Sequence, residues 1–281
     1  MSEAPLLEVE GLDVVYASRD GTTHAVRDVT FALGRERLGI VGESGSGKST
    51  TGRALLGLIA PPGIVSARKM TFQGEDLRAL DDQGWQAMRG RRLSMVMQDP
   101  KYSLNPIKRI GEQIMETFRL HNPGRAGEAK GRALAMLEAV RIRDPEAVFT
   151  RYPHQLSGGM GQRAMIAMML IGEPDVLVAD EPTSALDVTV QNEVLRILDD
   201  LVTARGMGLI FISHNLTVVS SFCDRVLVMY GGRIVEECDA KALHAAKHPY
   251  TRALVAAAPD LDRPAAQLSI FNGLYFLSHV A

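Results

Sequence analysis

A glycine-rich run over residues 42–50 constrains the fold of this chain more than any other feature. It reads Gly-Glu-Ser-Gly-Ser-Gly-Lys-Ser-Thr, with two glycines flanking four residues ahead of Lys48 and Ser49. An apolar segment precedes it and a helix-like segment over residues 50–59 follows, which is the order of strand, loop and helix in a phosphate loop. Glycines allow such a loop to curl until its N–H groups face one anion. The run therefore predicts a nucleoside triphosphate site, against the alternative of a glycine-rich turn that matches by chance.

The residue types in this run suit a phosphate ligand. Lys48 is placed to reach the outer phosphates, and the hydroxyl of Ser49 is placed to ligate a magnesium ion. The residues that we expect to contact the nucleotide are Gly42, Glu43, Ser44, Gly45, Ser46, Gly47, Lys48, Ser49 and Thr50.

Composition limits the classes of partner. With 281 residues, 46% of them hydrophobic, the chain can bury a large core as one large domain or two modest ones. Its net charge of -2 gives no electrostatic support for nucleic acid as a partner. The N-terminus lacks a signal-peptide pattern, and no stretch approaches the ~20 apolar residues of a membrane span, so we expect that the chain does not enter a bilayer by itself.

Hydrophobic patterning predicts three kinds of segment. Residues 7–33 alternate as two strands around a turn at residues 20 and 21, which predicts an antiparallel β subdomain. Residues 176–179 and 209–212 are continuous apolar runs, typical of strands buried on both faces of a parallel sheet. A helical pattern predicts an inserted helical subdomain of about residues 100–172. We therefore expect an α/β fold with a mainly parallel sheet.

Two carboxylates end the predicted strand at residues 176–179. We expect Asp180 to lie beside the magnesium shell and Glu181 to lie one residue nearer the attacking water. Phosphoryl transfer to water needs a group that orients the water, and Glu181 is the natural candidate. The alternative is an acidic turn that ends a strand at Pro182.

Residues 156–163 read Leu-Ser-Gly-Gly-Met-Gly-Gln-Arg and stand just before an apolar helical segment. A Ser-Gly-Gly turn that feeds a helix exposes N–H groups and a positive dipole end, so it can bind a phosphate from outside. Taken alone, this string is a helix cap. Gln98, His214 and Tyr16 are also weak signals singly, since a lone histidine after a strand is usually structural and Tyr16 is by default an edge-strand aromatic.

Taken together, the order of these motifs resembles that of ATP-binding cassette (ABC) proteins over roughly residues 6–258. Gln98 looks like the Q-loop glutamine and His214 like the switch histidine, while Tyr16 falls where the family places an aromatic ring against adenine. The residues that resemble the family signature are Leu156, Ser157, Gly158, Gly159 and Gln162. Those that resemble the D-loop are Ser184, Ala185, Leu186 and Asp187.

The resemblance implies a P-loop NTPase core that binds ATP and Mg²⁺. Each chain of the family holds two half sites, so the signature of one subunit faces the phosphate loop of a second ATPase subunit. The resemblance assigns catalysis to Glu181 and places His214 in contact with the γ-phosphate. It assigns the magnesium shell to Ser49, Asp180 and Gln98, and Gln98 would link that shell to the helical subdomain. Closure on ATP and opening after hydrolysis would then drive transport.

Residues 98–106, 152–154, 184–191 and 248–251 resemble the dipeptide, oligopeptide and nickel importer subfamily. Its members are bacterial ATPases held peripherally at the cytoplasmic face of the inner membrane. They bind two permeases and act with an extracytoplasmic solute-binding protein. Two related ATPase chains usually pair, so we expect a heterodimer rather than a homodimer. We expect a peptide as the transported solute. Nickel or another metal chelate, an opine and a small glycan are the alternatives.

Two departures from the subfamily stand out. Gly161 occupies a position that usually carries arginine, and arginine would favour a helix by about 1 kcal/mol relative to glycine. The tail over residues 259–281 has no cysteine, whereas many members carry several, so we expect no iron–sulfur cluster. The tail either packs on the partner chain, is disordered, or is an addition to the natural chain.

Two other functions compete with import. A soluble cassette ATPase that acts on ribosomes or DNA would commonly carry two cassettes or a long coiled-coil insertion, and the sequence has neither. An exporter would often fuse the cassette to membrane helices. Both are therefore disfavoured, and recovery of permeases with the chain would discriminate them from an importer subunit.

Overall fold

The computed structural model describes residues 4–18, 21–184 and 186–258, and within them the chain forms two β-sheets and ten α-helices. The strands are β1 (Leu7–Ser18), β2 (Gly21–Leu33), β3 (Arg37–Val41), β4 (Gly63–Ser66), β5 (Lys69–Phe72), β6 (Glu75–Asp76), β7 (Leu93–Val96), β8 (Val176–Asp180), β9 (Gly208–Ile212), β10 (Arg225–Tyr230) and β11 (Arg233–Asp239). The α-helices are α1 (Lys48–Leu55), α2 (Asp82–Met88), α3 (Pro100–Ser103), α4 (Ile110–His121), α5 (Ala129–Ala139), α6 (Pro145–Thr150), α7 (Gly158–Leu170), α8 (Val188–Arg205), α9 (Leu216–Phe222) and α10 (Pro249–Ala257).

The larger sheet has six strands in the order β11-β10-β3-β9-β8-β7. All neighbouring pairs are parallel except β10 and β11, which form an antiparallel hairpin. Strands β8 and β9 are buried at every position, as their apolar runs predict. Because side chains alternate along a strand, Leu177 and Ala179 of β8 enter one hydrophobic core while Val176 and Val178 enter the other.

The smaller sheet is antiparallel and uses the N-terminal strands. Its order is β2-β1-β5-β6, and β4 also pairs with β1. Its inner face and α1 form one hydrophobic core with one face of the larger sheet. The predicted antiparallel β subdomain is therefore confirmed.

Helices α3 to α7 all lie in the chain between the neighbouring strands β7 and β8. The apolar faces of α4 to α7 share the second hydrophobic core with the opposite face of the larger sheet. This arrangement confirms the predicted fold class, an α/β core with a mainly parallel sheet and an inserted helical subdomain. The boundaries at residues 6 and 258 stay a prediction, and residues 259–281 lie outside the described residues.

Helix α1 differs from the segment over residues 50–59 that the sequence predicts. It begins at Lys48, because the first helical turn grows directly out of the phosphate loop behind Gly47. It ends at Leu55, because Gly57 takes a left-handed φ of +62° and donates its N–H to the carbonyl of Ala54. That is the usual chemistry of a helix C-terminus. Among the described residues, no helix combines the length and the apolarity that crossing a membrane requires.

Candidate functional site

Four loops that carry predicted site residues leave the same edge of the larger sheet. The phosphate loop follows β3, Gln98 follows β7, Asp180 and Glu181 lie at the end of β8, and His214 follows β9. These four strands are parallel and adjacent in the order β3-β9-β8-β7. The carboxyl ends of parallel strands meet at one edge, which is where open α/β sheets bind ligands.

A cavity of about 570 Å³ lies at this edge. Nine of the residues that line it are predicted site residues, namely Ser44, Gly45, Gly47, Lys48, Ser49, Thr50, Gln98, Glu181 and His214. Ala25 also lines it, and nothing in the sequence points to that residue. The structure thus gathers the phosphate loop and the three predicted catalytic residues around one opening.

Packing against neighbouring strands fixes the shape of the phosphate loop. Gly42 has a φ of +153°, and a Cβ there would collide with the backbone carbonyl of Met229 in β10. Gly47 has a φ of +101°, and a Cβ there would collide with the carbonyl of Ala25. Both positions therefore require glycine for two reasons, the backbone conformation and the close approach of another backbone.

Lys48 is held inside the loop by its own backbone. Its ammonium donates hydrogen bonds to the carbonyls of Gly42 at 2.8 Å and Glu43 at 2.7 Å, and to the hydroxyl of Ser46 at 3.4 Å. The residue is only 5% exposed, and this burial lowers the pKa of its amine. A desolvated cation that faces a cavity is strongly attracted to an anionic ligand.

Ser49 and Asp180 form an oxygen-rich pair beside the cavity. The Ser49 hydroxyl donates to Oδ1 of Asp180 at 2.7 Å. Asp180 is 4% exposed, and burial raises its pKa, so folding disfavours the charged form of this carboxylate. Hydroxyl and carboxylate oxygens are the ligands that Mg²⁺ prefers, so the pair fits the predicted metal role.

The carboxylate of Glu181 lies between the other two predicted catalytic side chains. Its Oε1 is 3.1 Å from Nδ1 of His214, and its Oε2 accepts from Nε2 of Gln98 at 3.3 Å. Glu181 has a left-handed φ of +47°, which costs a non-glycine residue roughly 1–2 kcal/mol. Its N–H donates to the carbonyl of Ile212 at 2.9 Å, which holds this unusual backbone in place. Such strain is typical of functional positions.

Residues 156–162 form a separate feature. Ser157 caps α7 and accepts the N–H of Met160 at 3.4 Å, while Gly158 and Gly159 already belong to the first helical turn. Ser157 and Gly158 are exposed, and a Cβ on Gly158 would meet nothing within 4 Å. None of the described residues 156–162 lines the cavity at the phosphate loop. The two predicted half sites are therefore not joined within one chain.

The predicted D-loop connects Glu181 to α8. The Ser184 hydroxyl donates to the carbonyl of Glu181 at 3.2 Å, and Asp187 caps α8 by accepting the N–H of Val190 at 3.0 Å. The N–H of Leu186 donates to the carbonyl of Thr183 at 3.2 Å. Ala185 lies outside the described residues.

Tyr16 is not brought to the cavity lining. It pairs with Thr23 and Gly63 in the antiparallel sheet, and its ring lies against Gly63. Its contact with adenine stays a prediction.

A contact that the sequence does not reveal involves the C-terminal helix. The hydroxyl of Tyr250 accepts the N–H of Glu43 in the phosphate loop at 3.1 Å. Residues 248–251 resemble the importer subfamily in sequence, but that resemblance does not indicate a contact with the phosphate loop. In the sequence, 207 positions separate Tyr250 from Glu43. No local pattern could have predicted that they touch.

Comparison with known proteins agrees with this geometry. The ABC transporter family model matches residues 26–184. The dipeptide transport ATP-binding protein DppD of Escherichia coli (strain K12) is 41% identical over 271 residues, which cover 96% of this chain and 83% of DppD. The oligopeptide transport ATP-binding protein OppD of Salmonella typhimurium is 44% identical over 270 residues, which cover 95% of this chain and 80% of OppD.

A solved structure of an ATP-binding cassette also resembles this chain. The dimeric post-hydrolysis state of an ATP-binding cassette bound to ADP and phosphate superposes with a TM-score of 0.75 at 25% identity, covering 83% of this chain and 98% of that one. The phosphate loop, the carboxylates at the end of β8 and the signature helix thus occur in a chain that aligns over nearly its whole length with transport ATPases. The chain belongs to the ABC transporter family and is one of its ATP-binding subunits.

Proposed function

We propose that this chain is the ATP-hydrolysing subunit of a bacterial ABC importer for peptides. The observation that carries the proposal is the convergence of Lys48, the Ser49–Asp180 pair and the Glu181 carboxylate on one cavity. The choice of peptides as the solute is supported by the names of the dipeptide and oligopeptide transport relatives.

Binding of ATP would rest on the phosphate loop. The N–H groups of the loop and of the first turn of α1 would face the phosphates, and Lys48 adds a buried positive charge. Ser49 and Asp180 would hold Mg²⁺, with Gln98 close to the same cavity. The ion neutralises charge on the phosphates when it is bound. A buried carboxylate gains from such a cation, which offsets the desolvation of Asp180.

Hydrolysis would rest on Glu181. Its carboxylate is held on both sides, by His214 and by Gln98, so it is oriented before a water arrives. A positioned general base contributes typically 10²–10⁴-fold to the rate. His214, whose side chain is 61% exposed, would contact the γ-phosphate from the open side of the cavity.

A complete site would need a second ATPase subunit. Ser157 and Gly158 are exposed on α7 and lie away from the cavity lining of their own chain, so they are available to a nucleotide on a partner. The dimeric cassette bound to ADP and phosphate supports this arrangement. We propose that the partner is a related but different ATPase chain. The pair would bind two permeases peripherally at the cytoplasmic face of the inner membrane and act with an extracytoplasmic peptide-binding protein.

The proposal is tested by titrating MgATP into the purified chain and comparing Lys48→Ala with Lys241→Ala. Lys48 would donate hydrogen bonds to the phosphates of ATP, and a hydrogen bond to a charged group is worth about 1.5–3 kcal/mol. Its loss should therefore raise the Kd for MgATP by about 10- to 100-fold. Lys241 is exposed on a 3₁₀ helix far along the chain and serves as the matched control. Equal affinity in both variants would overturn the assignment of the site. Recovery of two membrane permeases with the chain, and peptide uptake by vesicles that contain the complex, test the importer role.

A further inference from the structure

We infer that Tyr250 of α10 is a positioning residue for the ATP site, acting through the peptide bond that joins Gly42 to Glu43. This inference rests on the proposed ATPase function and adds to it a residue about 200 positions beyond the phosphate loop. It assigns a role to the His-Pro-Tyr-Thr segment at residues 248–251, which the site described above leaves unused.

The peptide unit between Gly42 and Glu43 is held at both ends. Its N–H, on Glu43, donates to the hydroxyl of Tyr250 at 3.1 Å. Its C=O, on Gly42, accepts from the ammonium of Lys48 at 2.8 Å. Because a peptide unit is planar, a rotation of this unit would break both hydrogen bonds together. Tyr250 therefore sets the direction of a carbonyl that positions Lys48.

Glycine gives this peptide a freedom that has to be restrained. Gly42 has a φ of +153°, a conformation that is open mainly to glycine. On one side the backbone of β10 restrains it, since a Cβ on Gly42 would collide with the Met229 carbonyl. On the other side the restraint is the hydroxyl of Tyr250.

Tyr250 itself is rigidly placed. Its side chain is 0% exposed, and its ring lies 4.4 Å from that of Tyr230 at an angle of 40°. Burial raises the pKa of its hydroxyl to about 12, so the group stays protonated at physiological pH. A buried, neutral hydroxyl with a fixed ring is suited to hold one backbone amide in one direction.

The start of α10 explains why the tyrosine stands there. Glu236 of β11 accepts the N–H groups of Lys247 at 2.6 Å and His248 at 3.2 Å, which anchors the chain ahead of the helix. His248 then caps the helix by accepting the N–H of Tyr250 at its Nδ1, at 3.2 Å. Pro249 occupies the first helical turn, where its missing N–H costs nothing. Glu236, His248 and Pro249 thus contribute to the placement of the Tyr250 ring.

The test compares Tyr250→Phe with Leu254→Ala in the full chain. Tyr250→Phe keeps the ring and removes the hydroxyl, so the Kd for MgATP should rise by about 2- to 10-fold, the range for loss of one hydrogen bond. In the assembled ATPase, KM for ATP should rise while kcat changes little, because the contact acts on binding. Leu254 lies on the same helix, packs against the second hydrophobic core and does not line the cavity at the phosphate loop. Leu254→Ala should lower the melting temperature and leave the Kd unchanged.

Hydrogen exchange of the Glu43 amide supplies a second readout, which is independent of nucleotide affinity. In the parent chain this amide should exchange more slowly than that of Ser44, and in Tyr250→Phe the difference should vanish. An unchanged Kd in Tyr250→Phe, or an unprotected Glu43 amide in the parent chain, would overturn the inference. A parent chain that binds no MgATP would instead overturn the proposed function, so the two failures are distinguishable.

Discussion

Replacing Gly161 by alanine should stabilise the isolated chain, because this glycine has no structural task in α7. Gly161 is buried in the first part of the helix, and a Cβ there would lie 3.7 Å from Cγ of Pro100, an ordinary van der Waals contact. Glycine costs about 1 kcal/mol relative to alanine in a helix interior, and a compatible replacement recovers about 0.4–1 kcal/mol. For a chain of this size we expect a rise in the melting temperature of about 1–4 °C.

Gly159→Ala is the matched control on the same helix. A Cβ at Gly159 would lie 2.6 Å from Cγ1 of Val190, so the Val190 side chain or α8 itself would have to move. Overpacking typically costs about 1–3 kcal/mol, and the gain in helix propensity offsets only part of it, so this variant should lose up to about 2 kcal/mol. Urea unfolding followed by circular dichroism measures both changes. A Gly161→Ala chain that is no more stable than its parent, or a stabilised Gly159→Ala chain, would refute the reasoning.

Three further predictions concern stability and pH. Ser157→Ala removes the cap of α7 and should lower the free energy of unfolding by about 0.5–1 kcal/mol in urea titrations, the low end for a cap because its hydrogen bond is long, at 3.4 Å. Asp180→Asn should raise the melting temperature of the nucleotide-free chain at pH 7, because burial raises the pKa of this carboxyl and folding disfavours its charged form. The same variant should lose Mg²⁺-dependent hydrolysis. A melting temperature below that of the parent would contradict this prediction. Burial raises the pKa of the Cys223 thiol to about 12, so above pH 9 the unfolded chain binds fewer protons than the folded chain and stability falls as pH rises. The loss of unfolding free energy between pH 8 and pH 10 should therefore be about 1 kcal/mol smaller in Cys223→Ala than in the parent, and equal losses would count against the buried thiol.

Much of the site could be predicted because its motifs follow apolar runs. Asp180, Glu181 and His214 each stand one or two residues after a short, continuously apolar segment, and such segments become buried parallel strands. Since the carboxyl ends of parallel strands share one edge, residues after different strands come together without any local contact between them. The sequence could thus indicate the members of the site before the order of the strands was known.

The strand order and the long-range contacts of the site could not be predicted, because they depend on tertiary structure and leave no local pattern in the sequence. Strand β3 lies between β9 and β10, which come about 170 residues or more later in the chain, so the order of the sheet is not readable from periodicity. The bond between Tyr250 and Glu43 has the same origin. The left-handed backbone of Glu181 also escapes prediction, because glutamate rarely adopts it unless surrounding structure holds it there.

We propose that Glu181 drives hydrolysis in a site that binds ATP independently of it. The most direct measurement compares the parent chain with Glu181→Gln, using MgATP titration for binding and single-turnover phosphate release by the assembled ATPase for chemistry. Gln keeps the shape of the side chain between Gln98 and His214 but cannot serve as a base. This role of Glu181 predicts a Kd close to that of the parent and a hydrolysis rate lower by about 10²–10⁴-fold. Undiminished turnover by Glu181→Gln would contradict it.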